Sequence, residues 1–369
     1  MRNSEENKDL IYGISDVRGV RNTKGISNTK IDVSGRNLKT FLVVRPGGFI
    51  FNHRVHDKLG LGYNTSDETY IFTNDYVSFY VKPEVKNRIL LPDYLYMWYL
   101  RPEFDRYMLF KTYGSATLFF SWDNMCELEI ELPDLPTQQK YVDVYNAMVA
   151  NQQAYERGLE DLKLTCDAYI ENLRRRIPCE RIGRYITECN AKNDIGLTLD
   201  FVRGISTDKE FIDTKANMDG VSLSNYKIVS PNEIAFISDT SRRGDKISLA
   251  INSSKETYLV SSISTVFRTN SDHLIPQYLF LFFLRSEFNR YSRFHSWGSA
   301  RETFDWDAMC DVQIPIPDIE IQKSIAEMYT VYNKRKKINE QLKAQIKNIC
   351  PILIRGSLED GGEPNGEPA

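Results

Sequence analysis

The sequence predicts an α+β fold, with two pseudo-symmetric mixed α/β domains separated by two long antiparallel coiled-coil helices. Three observations predict it. Residues 92–134 recur without a gap as residues 276–318, with 21 identities in 43 aligned positions, where about one position in fifteen would match by coincidence. Turn-punctuated apolar runs precede each copy of this block, and a long apolar stripe at helical spacing follows each. A period of this length denotes two whole domains related by approximate two-fold symmetry, not a solenoid of short repeats.

Each copy shows the same order of elements. β-rich runs come first, over residues 40–44, 49–51 and 76–81 and again over 226–229, 234–237 and 258–267, rich in branched and aromatic residues. The breakers Pro46-Gly47-Gly48 and Ser230-Pro231-Asn232 separate them. Arg18-Gly19-Val20 and Arg203-Gly204-Ile205 stand at nearly the same offset, so this diverged region is duplicated too. The second copy opens on a strand-like segment, 181–187, that has no counterpart ahead of Glu5 in the first.

The repeated block then predicts a helix over residues 93–107 after Pro92, a loop at Gly114-Ser115-Ala116 (Gly298-Ser299-Ala300 in the second copy), and a strand over 125–132, matched by 309–316. Beyond Pro133-Asp134 and Pro317-Asp318, spacings of three and four predict a coiled-coil seam. In the first copy it comprises Tyr145, Met148, Gln152, Tyr155, Leu159, Leu162, Cys166, Tyr169 and Leu173. In the second it comprises Met328, Val331, Arg335, Ile338, Leu342, Gln345, Ile349 and Ile352. The predicted spans are 1–133 for the first domain, 134–177 for the central helix, 178–317 for the second domain, 318–357 for the C-terminal helix, and 358–369 for a disordered acidic tail.

With 369 residues, each domain is large enough to bury its own core. The six cysteines form no Cys-x-x-Cys pair, and four are repeat-equivalent (Cys126 with Cys310, Cys166 with Cys350), which is expected of small core residues in a reducing compartment. The polar N-terminus lacks a signal-peptide core and no apolar run approaches a membrane span, so a cytoplasmic protein without membrane contact is expected. The net charge of −3 conceals regional contrast: residues 17–58 carry nine Lys or Arg against Asp32 and Asp57.

Catalytic and cofactor motifs are missing. There is no phosphate-loop motif, no His-Glu-x-x-His, and no Asn/Asp-Pro-Pro-aromatic motif of amino-methyltransferases. Gly60-Leu61-Gly62 lacks the third glycine of a dinucleotide loop and is expected as a turn, His53 and His56 lack a third ligand, and Glu84 and Lys86 with Asp67 and Asp75 form only a weak nuclease-like pattern. The residue types present suit nucleic-acid contact instead, since guanidinium and amide groups read base edges and lysines meet phosphates. The candidates are Arg18, Arg21, Lys24, Arg36, Lys39, Asn52 and Arg54 in the first copy. In the second they are Arg203, Lys209, Asn225, Arg242, Arg243, Lys246 and Arg301, the last beside a small-residue loop. Residues identical in both copies, such as Trp122 and Trp306, are expected to belong to the common frame.

The layout resembles the specificity subunit of Type I restriction-modification systems, whose recognition domains end in an Ile/Leu-Pro-x-Pro-x-x-x-x-Gln signature. Ile314-Pro315-Ile316-Pro317 through Gln322 fits it, and Ile130-Glu131-Leu132-Pro133 through Gln138 fits with Glu131 in place of the first proline. The resemblance implies a non-catalytic chain in which each domain is a target recognition domain reading one half of a bipartite double-stranded DNA target. The helices would set the spacing and dock two methyltransferase subunits, and a motor-nuclease subunit would join for cleavage. No cofactor is expected on this chain; S-adenosylmethionine and Mg/ATP are expected on the partners. A coiled-coil interaction scaffold without sequence-specific DNA binding is the alternative.

Overall fold

The duplicated block folds the same way twice. A computed structural model describes residues 1–29, 31–115, 117–214, 216–240, 246–270, 272–298 and 302–361. The chain divides into two units, one formed by Met1–Ala154 with Asn339–Ala369, the other by Tyr155–Ile338.

In unit 1, strands β1 (Arg2–Asn3), β2 (Arg18–Val20), β3 (Ile26–Asn28), β4 (Leu42–Val44), β5 (Phe49–Asn52), β6 (Arg54–Val55), β7 (Leu61–Tyr63), β8 (Tyr70–Phe72) and β9 (Tyr76–Phe79) precede the helices. A four-stranded antiparallel sheet has the order β1-β9-β5-β7, with β2-β3 and β4-β8 as smaller pairs. Phe49, Phe51 and Leu61 are fully buried under helices α1 (Pro92–Tyr99) and α2 (Pro102–Lys111). Strand β10 (Leu118–Phe119) pairs with β6, and α3 (Trp122–Cys126) precedes the long helix α4 (Leu135–Arg176).

Unit 2 repeats this plan. It contains β11 (Cys179–Arg181), β12 (Ile186–Cys189), β13 (Arg203–Ile205), β14 (Phe211–Asp213), β15 (Lys227–Val229), β16 (Ile234–Ile237), β17 (Ser248–Ile251), β18 (Tyr258–Val260) and β19 (Ser264–Thr269). Then come α5 (Pro276–Leu284), α6 (Ser286–Phe294), α7 (Trp306–Cys310), β20 (Gln313–Pro315) and α8 (Ile319–Gly361). Its sheet order β12-β19-β16-β17 matches that of unit 1, and β13-β14 and β15-β18 match the smaller pairs. Trp122 lies 5.3 Å from Phe79, and Trp306 lies 5.7 Å from Phe267, so both tryptophans belong to the frame.

Several expectations need correction. The first copy does have a counterpart of the second copy's opening strand: β1 pairs with β9 as β12 pairs with β19, but over two residues instead of four. The helix expected over 93–107 is two helices, because Arg101 is extended (φ −76°, ψ 145°) ahead of Pro102, which has no N–H to continue a helix. Unit 2 keeps the break at Arg285 (φ −68°, ψ 149°) although Ser286 replaces the proline, so the tertiary setting holds it. The strand expected from Met125 is helical at its start. In unit 2 the strand is confined to β20, which pairs with β11; among the described residues of unit 1, residues 128–132 have no strand partner.

Helices α4 and α8, of 42 and 43 residues, would each extend ~63 Å or more at 1.5 Å per residue. Their paired segments run antiparallel within each unit. In unit 1, Lys140 and Tyr141 meet Asp360 at 2.6 and 2.8 Å, and Gln152 donates to Asn339 at 2.9 Å. In unit 2, Gly158 faces the Arg335 guanidinium. Gln152, Leu159, Cys166 and Leu173 are buried at seven-residue intervals, as the seam predicts. Ile170 is buried in place of Tyr169, and Val331 and Ile352 are exposed, because the domain cores, not one seam alone, decide which helix face is covered.

The tail expected to be disordered from residue 358 is helical to Gly361: Leu358 packs on the unit 1 core and Asp360 is held by Lys140. Residues 362–369 lie outside the described residues. Of the repeat-equivalent cysteines, Cys166 and Cys350 are buried and Cys310 is half-buried, but Cys126 is exposed, which corrects its assignment to the core.

Candidate nucleic-acid interface

The β2-β3 hairpin of unit 1 carries three of the candidates, Arg18, Arg21 and Lys24. Its five-residue turn closes through Lys24 N–H donating to the Arg21 carbonyl at 2.9 Å, with Lys24 in the left-handed region (φ 63°). This turn aims Arg21, Asn22 and Thr23 outward, and all three are exposed. Two grooves flank the hairpin and share Arg21, Ser27 and Asn28. One, of about 520 Å³, adds Arg18, Tyr63 and Tyr70; the other, of about 800 Å³, adds Asn22, Thr29 and Tyr76. Guanidinium, amide and hydroxyl groups beside aromatic faces are the donor set that contacts phosphates and base edges.

The remaining candidates divide by environment. Arg36 and Lys39 are exposed. Arg54 is exposed and lies 3.8 Å from Asp75, while Asn52 accepts the Arg54 N–H at 3.0 Å and so shapes that turn. In unit 2, Asn225 accepts from Lys192 at 3.1 Å and Lys246 lies 3.3 Å from Asp208. Arg242, Arg243 and Arg301 lie outside the described residues.

Four candidates are corrected to structural roles. Arg18 donates to the carbonyls of Ser15 and Val17 at 2.5 and 3.0 Å and covers Tyr70. Arg203 repeats this with Asp200 and Val202 at 2.7 and 2.9 Å over Tyr258. In each arginine both backbone bonds come from Nη1, so two of the five guanidinium N–H groups hold the side chain against its own strand and ring. Lys24 is turned inward, 2.6 Å from Asp105, and Lys209 is buried with its ammonium on the Phe283 carbonyl. Burial lowers the pKa of Lys24, and the hydrogen bond it donates to Asp105 opposes that shift.

The signature glutamines are structural locks. Gln138 accepts from Leu91 N–H at 2.9 Å and donates to the carbonyls of Ile89 and Pro133, both at 2.8 Å. Gln322 makes the same three bonds to Ile275, His273 and Pro317 at 2.9, 2.8 and 2.8 Å. Both are fully buried, so each long helix is bonded at its start to the segment that begins α1 or α5. The ion pairs Arg106–Glu103 and Arg290–Glu287, at 3.1 and 3.3 Å, likewise recur on equivalent helices.

Two repeated features escaped the sequence reading. Asn64 donates to the Val44 and Glu68 carbonyls, and Asn252 to those of Val229 and Glu256, each accepting from a serine two residues on. The shared Asn-x-Ser-x-Glu pattern could have revealed it. Phe110 and Phe294 are 85% and 83% exposed at equivalent positions, followed by the exposed Tyr113 and Trp297. Aromatic identity within the aligned block was visible, but its exposure was not. Among the described residues, no three His, Cys, Asp or Glu side chains gather as a metal group, so Asp67, Asp75 and Glu84 do not form one. Nor is any helix among them long and apolar enough to cross a membrane.

Residues 200–348 match the family described as Type I restriction modification DNA specificity domain. The chain is 23% identical over 121 residues to the HindI specificity subunit of Haemophilus influenzae, which covers 32% of this chain and about a quarter (26%) of that protein. It shares its fold with the crystal structure of the Type-I restriction-modification system S subunit from M. genitalium, at a TM-score of 0.53 and 11% identity over 96% of both chains. The HsdS subunit of Thermoanaerobacter tengcongensis aligns over 97% of this chain and 93% of its own, at 14% identity and a TM-score of 0.38. The family match spans the second proline-to-glutamine junction, 314–322, and so supports the resemblance read there; the first junction, 130–138, lies outside it.

Proposed function

We propose that this chain is the non-catalytic DNA-reading subunit of a Type I restriction-modification complex, with each unit reading one half of a bipartite target. The observation that carries the reading is the duplication. Two units share sheet order, hairpins and glutamine locks, yet their exposed polar residues differ, as a reader of two dissimilar half-sites requires. In unit 1, Arg21, Arg36, Lys39, Asn52 and Arg54 are the proposed contacts, with Arg21 between its two grooves. In unit 2, Asn225, Lys246 and the candidates Arg242, Arg243 and Arg301 fill this role.

The long helices would set the spacing between half-sites and dock two methyltransferase subunits, which bring S-adenosylmethionine. The motor-nuclease subunit would bring Mg/ATP. The paired aromatics Phe110 with Tyr113 and Phe294 with Trp297 suit two copies of one protein partner, because the same exposed surface occurs twice. Footprinting the assembled chain and methyltransferase subunits on DNA tests the reading. Two protected blocks separated by an accessible gap are expected. One continuous block would refute bipartite reading, and protection without sequence preference would favour the coiled-coil scaffold.

A further inference from the structure

The turns of the two equivalent hairpins place a lysine at the same strained position, Lys24 at φ 63° and Lys209 at φ 64°. A non-glycine residue is uncommon there, so a surrounding structure must hold it. Both ammonium groups turn inward, each 5.4 Å from the ring centre of a repeat-equivalent phenylalanine, Phe104 or Phe288. The next residue differs. In unit 1 it is Asp105, whose carboxylate lies 2.6 Å from Lys24 Nζ. In unit 2 it is Asn289, which carries no charge.

Among the described residues, Lys209 Nζ bonds only the Phe283 carbonyl, which leaves two of its three donors for another acceptor. The Asn289 Oδ1 beside it is buried without a hydrogen-bond partner. Both line a cavity of about 410 Å³, within the size range of small-molecule sites. Lys163 from α4, Lys336 from α8 and Lys246 from the segment before β17 line the same cavity. Neither of its two carboxylates is paired with Lys209: Asp208 lies 3.3 Å from Lys246 of the same lining, and Asp167 lies 3.5 Å from Arg285 outside it. Lys336 pairs with Glu210 on the hairpin turn. Burial, together with Lys163 and Lys246, pushes the Lys209 ammonium down to about 7, as befits a buried cation short of a counter-charge.

We propose that this cavity is a binding site for an oxyanion of the phosphate class, which supplies to Lys209 the counter-charge that Asp105 supplies to Lys24. The two remaining Lys209 N–H groups donate to it. The Asn289 amide, turned to present its NH₂, adds a neutral donor. Lys163 adds long-range attraction. The inference does not depend on DNA reading by this chain.

The test uses the full chain in phosphate-free buffer, titrated with inorganic phosphate against chloride at matched ionic strength. Calorimetry and amide exchange over residues 206–210 and 286–294 report binding. Saturable binding of one phosphate with protection of both segments is expected. Asn289→Asp installs the carboxylate of the other copy and should weaken phosphate binding by about tenfold or more, since it supplies the counter-charge internally. Asp105→Asn should leave that binding unchanged. Phosphate binding no tighter than chloride would overturn the proposal, as would phosphate binding that Asn289→Asp leaves intact. A duplex oligonucleotide that competes with phosphate assigns the occupant to a backbone phosphate; a duplex that does not compete assigns it to a free anion.

Discussion

Lys24 and Lys209 occupy one place in two copies of one fold, and their surroundings have diverged around a single side chain. Unit 1 answers a buried ammonium with a carboxylate from its own helix. Unit 2 offers an amide and a cavity lined by three more lysines. The backbone plan tolerates both because the hairpin turn, the phenylalanine and the helix break that position the lysine are shared. Duplication thus keeps the device that buries the charge and leaves its neutralisation free to change.

The largest expected effect tests whether Asp105 is the counter-ion on which unit 1 depends. Asp105→Ala leaves Lys24 buried without a carboxylate and should destabilise unit 1 by about 3 kcal/mol, the cost of breaking one side of a buried pair. Asn289→Ala should cost unit 2 under about 1 kcal/mol. Amide exchange resolved by unit measures both, and equal losses would end the contrast.

The glutamine locks sharpen the comparison from the opposite side, because they do not differ. Gln138→Ala and Gln322→Ala each remove three buried hydrogen bonds of nearly equal length, so each should cost about 2 kcal/mol or more. Denaturant unfolding of the two variants should give matching shifts. A large inequality would mean that one lock is redundant.

An effect smaller per pH unit concerns titration. Lys209 has its pKa lowered to about 7 in the folded chain from 10.5. Between these values the unfolded state holds the proton and the folded state does not, so stability rises with pH through this window, by at most about 1.4 kcal/mol per unit. Below about 7 both states are protonated and the contribution is flat, at its least favourable. Lys209→Met should flatten the slope of unit 2 between pH 7 and 10. A slope that survives the substitution would assign it to other groups.

The smallest expected effect falls on Arg21, whose position in unit 2 is taken by Ser206. Arg21→Ala should weaken DNA binding by the assembled complex by about 1 kcal/mol. If Arg21 meets a phosphate, the loss will be uniform across sequences and the salt slope will fall by about one. If it meets a base, one target position will relax instead. Fluorescence anisotropy over a salt series separates these outcomes.

Much of this architecture was legible in the residues. The repeat, the helical junctions and the Pro-to-Gln signature predicted two like domains and two long helices, because apolar periodicity and proline act locally on the backbone. Arg18 and Arg203 show the limit of that reading. Their charge placed them among the DNA candidates, and the carbonyls of Ser15, Val17, Asp200 and Val202 that hold Nη1 of each guanidinium are brought there by the backbone turn. Lys24 and Lys209 were misplaced for a related reason: a lysine in a polar turn is ordinarily solvated, and only the left-handed backbone turns it inward. Residues 128–132 stayed without a strand because a strand forms only where a partner presents its own hydrogen-bonding groups, as β11 does for β20.

Periodicity, junction motifs and duplication, all properties of neighbouring residues along the chain, were enough to predict two like domains and two long helices. Which charged groups face solvent, which are neutralised and which are left around a cavity was decided by contacts between residues far apart in sequence. Lys24 with Asp105 and Lys209 with Phe283 are 81 and 74 positions apart. A side chain's charge is encoded where it stands, but the cost of burying that charge depends on what the fold brings beside it.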